Sequence, residues 1–158
     1  MQAYAMSENL EENYKLMVAT VKAFIHGESN VIANLSNTSA ILSEYLSDIN
    51  WAGFYLMEDG QLVLGPFQGK PACIRIPVGK GVCGTTAAKK ETIVVEDVHQ
   101  FPGHIACDAA SNSEIVIPIL KDGAVFGVLD IDSPEFGRFT ELEKTYLEEV
   151  VAVIEASL

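Results

Sequence analysis

The chain of 158 residues contains no long hydrophobic run. No apolar stretch reaches the ~18 residues that a membrane-spanning helix needs. The first residues also lack the basic segment and the apolar stretch of a secretory signal, so we expect a cytoplasmic protein. The sequence has no internal repeat and no low-complexity segment. Its length therefore favours one domain over residues 1–158, with residues 1–7 as a loose N-terminal extension.

Basic side chains are scarce, since the chain has 10 Lys and Arg residues against 22 Asp and Glu residues, a net charge of −12. Nucleic acids and anionic membrane surfaces attract basic patches, so this balance argues against both as partners. It is compatible with a small cationic or zwitterionic ligand. It is also compatible with acidity that only keeps the protein soluble.

Cysteine is rare as well, with three residues at Cys73, Cys83 and Cys107. An odd number of cysteines without a secretory signal makes a poor disulfide framework, so these thiols are core residues, metal ligands or redox groups. With His104 they would form a Cys₃His zinc set, but no two of them have the close spacing usual in structural zinc sites. His104 could instead help to ionise the Cys107 thiol, or simply face solvent. The residues alone leave redox chemistry and inert packing open.

The hydropathy pattern changes period along the chain and predicts helices at both ends of a set of strands. Ser7 is the expected N-cap of the first helix, and Thr140 with Glu143 predicts a capping box for the last. We expect helices over residues 7–25, 29–46, 85–90 and from 140 onward, and strands over residues 50–57, 61–67, 73–78, 92–95, 114–120 and 124–131. Hairpin-linked strands with helices at the ends indicate an α+β fold in which an antiparallel sheet carries helices on one face.

A glycine-rich segment at residues 79–84 matches the G-x-G-x-x-G pattern of dinucleotide-binding proteins. It follows a predicted strand and precedes a helix, as that motif requires. The predicted helix is too short for a βαβ crossover, and the next elements are hairpins. We therefore interpret the segment as a tight turn that holds the Cys83 thiol in a flexible loop.

Carboxylates and aromatic rings occur at positions that would share a face of a strand. Asp130 and Asp132 are two residues apart, Glu114 opens the preceding strand, and Trp51 and Tyr55 are four residues apart. Charged residues inside an apolar strand are unexpected unless they line a site, although a strand end that emerges into solvent would give the same pattern. The two rings are either core residues or a wall against which a methyl-sulfur group packs.

Several long segments in the same order resemble the free methionine-(R)-sulfoxide reductases. They are NWAGFYL at residues 50–56, LGPFQGKPAC at 64–73, GKGVCGT at 79–85, DVHQFPGHIACD at 97–108, SEIVIP at 113–118 and GVLDIDSP at 127–134. The similarity extends from about residue 13 to the C-terminus. It implies a GAF fold, a PAS-like antiparallel sheet of about six strands flanked by helices. It also implies a homodimer.

The resemblance further implies a reaction and roles for the cysteines. Free methionine-(R)-sulfoxide would be reduced by Cys107 as nucleophile, through a sulfenic acid and a disulfide. Cys73 would be the main resolving cysteine and Cys83 the remaining, mobile one. A thioredoxin-type dithiol would reset the enzyme, and no bound cofactor or metal is expected. The sequence leaves open which two cysteines pair first.

The remaining roles fall on the pocket residues. Trp51 and Tyr55 match the family's pocket aromatics, and Glu114, Asp130 and Asp132 match its acidic cluster. One carboxyl kept protonated would serve the departing oxygen, with Glu114 and Asp132 expected nearest to it, and an ionised neighbour would hold the substrate ammonium. The sequence does not decide which carboxyl donates the proton. GAF domains also act as ligand sensors, so the alternative is a non-catalytic small-ligand or redox sensor.

Overall fold

The computed structural model describes residues 9–105, 107 and 109–158. Four α-helices are present in this part of the chain: α1 (Leu10–Ile25), α2 (Val31–Tyr45), α3 (Gly81–Lys89) and α4 (Glu141–Ser157). The strands are β1 (Trp51–Glu58), β2 (Gln61–Gly69), β3 (Arg75–Pro77), β4 (Ile93–Val95), β5 (Ser113–Lys121) and β6 (Ala124–Ser133), and a 3₁₀ turn covers Val98–Gln100. None of the described helices is long and apolar enough to cross a membrane.

The strands form one six-stranded sheet in the order β3-β2-β1-β6-β5-β4, and every neighbouring pair is antiparallel. This confirms the predicted α+β class and the six-stranded sheet. The β1–β2 turn has Asp59 and Gly60 at φ of 52° and 80°, as expected for the tight hairpin of an Asp-Gly pair. The glycine-rich segment lies between β3 and β4, which are at opposite edges of the sheet, and no neighbouring strands of the described residues are parallel, so it does not belong to a βαβ unit.

Helices α1, α2 and α4 cover one face of the sheet. Alternate residues of the central strands, such as Phe54, Ile117 and Leu129, point into this layer and are buried against the helices. The period of two along each strand puts the intervening residues on the opposite face. That opposite face carries α3 and the segment between β4 and β5, and it holds the candidate site.

The helix ends differ in detail from the prediction. Asn9 caps α1 through a bond from the Glu12 amide to its side chain, whereas the expected cap, Ser7, lies outside the described residues, as does the predicted extension of residues 1–7. Asn30 caps α2. Phe24 and Ile32 fit the apolar periodicity of α1 and α2, yet both are more than half exposed. Periodicity identifies a face of a helix but not how wide a part of it is covered.

The capping box predicted at α4 is confirmed and extends into a buried network. Glu143 accepts bonds from the Thr140 amide and hydroxyl, and its other oxygen accepts from the Tyr14 hydroxyl and lies 3.3 Å from Arg138. Burial tends to raise the pKa of Glu143, but the bonds from Thr140 and Tyr14 outweigh it and lower that pKa. The Arg138 guanidinium also donates to the Ser47 carbonyl. The network therefore ties α4 to α1 and to the end of α2.

Candidate active site

The strand register places the predicted polar residues in one row across the sheet. Trp51 on β1 is paired with Asp132 on β6, and Asp132 is paired with Glu114 on β5. Asp130, two residues before Asp132, lies in the adjacent row on the same face. The sheet therefore brings together three carboxylates that are up to 18 residues apart in the chain and an aromatic ring.

Two of these carboxylates are almost fully buried, since Glu114 and Asp130 each expose 6% of their surface. Burial raises the pKa of Glu114 well above its usual value, and the charges of Asp130 and Asp132 raise it further. Burial also raises the pKa of Asp130, although hydrogen bonds from Glu114 and Cys83 act in the opposite direction. These effects favour a protonated Glu114 that donates the hydrogen bond to Asp130.

Asp130 retains an unused acceptor. Its Oδ1 atom is buried and has no hydrogen-bond partner among the described residues. A buried carboxylate oxygen without a partner is energetically costly, so we expect this atom to accept a hydrogen bond from a ligand. A cationic donor would offset the negative charge of the cluster as well.

Aromatic rings form one wall of the site. Trp51 and Tyr55 stack with ring centroids 5.8 Å apart, and Phe67 stacks with Trp51 at 5.1 Å. The Trp51 indole donates to the Lys70 carbonyl, and the Tyr55 hydroxyl donates to the Cys73 carbonyl at 3.0 Å. Because both polar tips are satisfied by backbone carbonyls, the rings present their apolar faces to the cavity.

Cys83 lies in the first turn of α3 and is buried, so the prediction of a flexible loop thiol is wrong. Two glycines in residues 81–84 disfavour a helix, but packing overrides this propensity. A Cβ atom at Gly84 would lie 2.3 Å from the Pro77 carbonyl oxygen, so only glycine lets α3 approach β3 this closely. Burial and the nearby Asp130 and Glu114 raise the pKa of Cys83, and ligating atoms of these three residues lie within 4.8 Å of one another.

Cys73 and Cys107 are joined by a disulfide across a sequence separation of 34 residues. Both are half-buried, and Cys107 lies in the segment between β4 and β5, as predicted. Cys73 precedes β3 rather than opening it, because β3 begins at Arg75. With two of the three cysteines bonded to each other, the Cys₃His zinc set is not assembled in this structure.

His104 lines the site near Cys107 but does not supply a cation. Burial and the neighbouring His99 lower the pKa of His104, which favours the neutral imidazole near pH 7. The suggestion that His104 ionises the Cys107 thiol as an imidazolium is therefore not supported.

These groups line a small cavity that opens to solvent. Seven of the eight predicted site residues line it: Trp51, Tyr55, Cys83, Cys107, Glu114, Asp130 and Asp132. The eighth, Cys73, is joined to Cys107 by the disulfide. Sequence reasoning did not single out Lys80, Ile105 and Ser111, which also line the cavity. Lys80 lies in the glycine-rich segment, and its position beside a predicted site cysteine was the available signal.

The N-terminal end of α3 faces the same cavity. Gly81, Val82 and Cys83 line it, and the preceding residue, Lys80, makes no side-chain cap bond to the helix. The first amides of a helix have no intrahelical partner and lie at the positive end of its dipole. The cavity thus offers amide donors on one side and carboxylates on another.

The sequence of the chain matches a known family of domains and a known enzyme. Residues 33–158 match the model of the GAF domain. The chain is 57% identical to the free methionine-R-sulfoxide reductase of Escherichia coli K12 over 150 residues, which are 95% of this chain and 91% of that protein.

Two solved structures are similar throughout. The reduced form of the Staphylococcus aureus protein fRMsr has a TM-score of 0.91 and 55% identity, covering 92% of this chain and 95% of that one. The free methionine-R-sulfoxide reductase of Neisseria meningitidis in complex with its substrate has a TM-score of 0.92 and 42% identity, covering 96% and 91%. The chain belongs to the free methionine-R-sulfoxide reductase family, which is built on the GAF domain.

Proposed function

We propose that this protein reduces free methionine-(R)-sulfoxide to methionine, with Cys107 as the nucleophile and Cys73 as the resolving cysteine. The observation that carries the proposal is the Cys73–Cys107 disulfide at the wall of a cavity lined by buried carboxylates and stacked rings. A disulfide beside such a cavity is the expected product when two thiols reduce a ligand that is bound in the cavity.

The cavity has a separate contact for each part of a free amino acid. The unpartnered Oδ1 atom of Asp130 would accept a hydrogen bond from the substrate ammonium, with Asp132 beside it. The amides at the start of α3 would bind the carboxylate. The methyl-sulfur group would pack against Trp51 and Tyr55, because sulfur contacts aromatic rings favourably.

Reduction requires a proton at the sulfoxide oxygen, and Glu114 holds one. Burial and two neighbouring carboxylates raise its pKa, which favours the protonated carboxyl. We expect Glu114 to protonate the oxygen while the Cys107 thiolate attacks the sulfoxide sulfur. The S–O bond of the substrate breaks as its hydroxyl moves to Cys107 Sγ, and the transient bond between the two sulfurs breaks. Methionine leaves, and Cys107 is left as a sulfenic acid.

The second half of the cycle removes that oxygen. The Cys73 thiol attacks the Cys107 sulfenic acid, the disulfide forms, and the oxygen leaves as water. A thioredoxin-type dithiol then supplies two electrons and two protons, and both enzyme thiols are restored. The electrons come from thiols throughout, so the cycle needs no bound cofactor. Cys83, buried against Asp130, keeps its proton and supports the carboxylate cluster.

Two broader proposals accompany the reaction. We infer a homodimer, supported by the large apolar side chains that α1 leaves exposed, among them Leu16 and Phe24. We also infer a cytoplasmic location, because the free thiol Cys83 and a catalytic disulfide that must be reduced again both fit a reducing compartment.

The test is steady-state turnover with dithiothreitol as reductant, comparing four substrates. The free R sulfoxide should be reduced at least tenfold more efficiently than the S epimer, the N-acetylated sulfoxide or a peptide sulfoxide, because each lacks one matched contact. Equal kcat/KM for the N-acetylated and free compounds would contradict binding of the ammonium by Asp130. No turnover of any of them would favour a non-catalytic GAF sensor.

A further inference from the structure

An exposed apolar and basic surface lies beside the Cys73–Cys107 disulfide, at the edge of the sheet. Ile74 and Val78 expose 67% and 40% of their surface, and both lie within five residues of Cys73. Between them is β3, a three-residue edge strand that is hydrogen-bonded to β2 on one side. Large apolar side chains this exposed are uncommon next to a polar site and indicate a contact surface.

The charge of this surface is opposite to that of the whole chain. Residues 70–80 contain three of the chain's ten basic residues, Lys70, Arg75 and Lys80, and no acidic residue. All three are exposed. In a chain of net charge −12, this segment is a local site that can attract an acidic partner instead of repelling it.

We propose that Lys70, Ile74, Arg75 and Val78 form the docking surface for the protein dithiol that reduces the Cys73–Cys107 disulfide, which we call the reductant-docking surface. The inference rests on the proposed function, because it assumes that the disulfide is turned over. The partner it fits has an exposed nucleophilic cysteine, apolar side chains around that cysteine and acidic residues at the rim. That is the chemistry of a thioredoxin-type protein approaching along β3.

Docking there brings the partner thiolate to Cys73. Its sulfur bonds to Cys73 Sγ, the Cys73–Cys107 bond breaks, and Cys107 leaves as a thiolate. The second thiol of the partner then attacks the mixed disulfide and releases the Cys73 thiol. The partner ends as a disulfide, having supplied two electrons, and Cys107 is returned in its reactive form. Dithiothreitol is small enough to reach the disulfide without this surface.

The experiment compares two reductants across three variants of the full-length chain. Ile74→Asp and Arg75→Glu alter the reductant-docking surface, and Ile32→Asp is the matched control. Ile32 is 56% exposed on α2, on the opposite face of the sheet, in a first helical turn where an acidic residue is well tolerated. Turnover of free methionine-(R)-sulfoxide is measured with purified bacterial thioredoxin and, separately, with dithiothreitol, and the mass of each variant in solution is determined.

We expect Ile74→Asp to lower kcat/KM for thioredoxin roughly tenfold or more, since an apolar anchor is replaced by a charge, and to leave the dithiothreitol rate within about twofold. Arg75→Glu should lower the thioredoxin rate and weaken its dependence on ionic strength. Ile32→Asp should change neither rate. A thioredoxin carrying only its nucleophilic cysteine should be trapped on Cys73, as judged by peptide mass.

Other results would overturn the proposal in distinguishable ways. Equal losses with both reductants would mean that Ile74 supports the catalytic site, and unchanged rates would mean that thioredoxin docks elsewhere. A change of mass in solution with Ile74→Asp would mean that a second copy of the chain covers this face. Absence of turnover by the unaltered protein with dithiothreitol would instead refute the proposed function.

Discussion

Replacing Glu114 by glutamine tests whether this buried carboxyl is the proton donor. The amide has nearly the shape of the protonated acid and can still donate to Asp130, as we expect of the protonated Glu114. It has no proton to give to the sulfoxide oxygen. The variant therefore removes acid catalysis while it keeps the packing of β5.

The expected loss follows from the role of a positioned acid. Such groups contribute ~10²–10⁴-fold, so we expect kcat/KM of Glu114→Gln to fall about a hundredfold, with most of the loss in kcat. Loss of ammonium binding alone would instead raise KM. Glu58→Gln, at the exposed end of β1, is the matched control and should keep wild-type kinetics.

The pH dependence gives a second readout. A general acid works only while protonated, so its advantage disappears as the pH rises through its folded-state pKa, which burial and Asp130 raise for Glu114. The ratio of wild-type to Glu114→Gln activity should therefore be largest at low pH and shrink as the pH rises. Both enzymes need the Cys107 thiolate, so this common requirement cancels in the ratio.

Stability should move in the opposite direction from activity. A carboxyl whose pKa is higher in the folded state than in the unfolded state lowers the free energy of unfolding as the pH rises between the two values. Glutamine removes that cost, so the Tm of Glu114→Gln near neutral pH should equal or exceed that of the wild type. Wild-type kcat/KM in a folded variant, or a ratio that does not change with pH, would refute Glu114 as the acid.

Three further predictions address the other groups. Cys107→Ser should abolish methionine formation measured by chromatography, whereas Cys73→Ser should yield one methionine per chain and then stall with thioredoxin; sustained turnover by Cys107→Ser would be contradictory. Asp132→Asn should lower kcat/KM roughly tenfold or more, and an unchanged value would mean that it only packs in the cluster. Glu143→Gln should lower the free energy of unfolding at pH 7 by about 3 kcal/mol, because it leaves Arg138 buried without its charge partner. The folded state lowers the pKa of Glu143, so this stabilisation is present above the unfolded-state pKa and is lost as the pH falls through the folded-state pKa. The free energies of unfolding of the two proteins, measured in urea, should therefore converge in acid. A difference that stays constant with pH would argue against the pair.

Local structure could be predicted from the sequence where it depends on residues that are close together in the chain. The capping box of Thr140 and Glu143 and the Asp59–Gly60 turn follow from short-range rules, and both are present. The buried partner of Glu143 could not be foreseen, because Tyr14 is 129 residues away in the chain. Such a contact depends on how α1 and α4 pack, which no local pattern specifies.

In the active site, too, features set by neighbouring residues could be predicted and features set by tertiary packing could not. Period two predicts that Asp130 and Asp132 share a face, but their proximity to Glu114 depends on the β5–β6 register. The start of α3 was predicted four residues late, because its glycines disfavour a helix and the close approach of Gly84 to Pro77 is a tertiary effect. The family resemblance supplied what local reasoning could not, namely the expected roles of Cys107 and Cys73, whereas the first pair to form a disulfide stayed open.

The most direct test of the proposed reaction is a single turnover without external reductant. Fully reduced enzyme is mixed anaerobically with excess free methionine-(R)-sulfoxide, and the methionine formed, the thiols lost and the cross-linked peptides are counted. The proposed reaction gives one methionine and two thiols lost per chain, with the Cys73 and Cys107 peptides joined and the Cys83 thiol still free. No methionine, or a disulfide that contains Cys83, would contradict it.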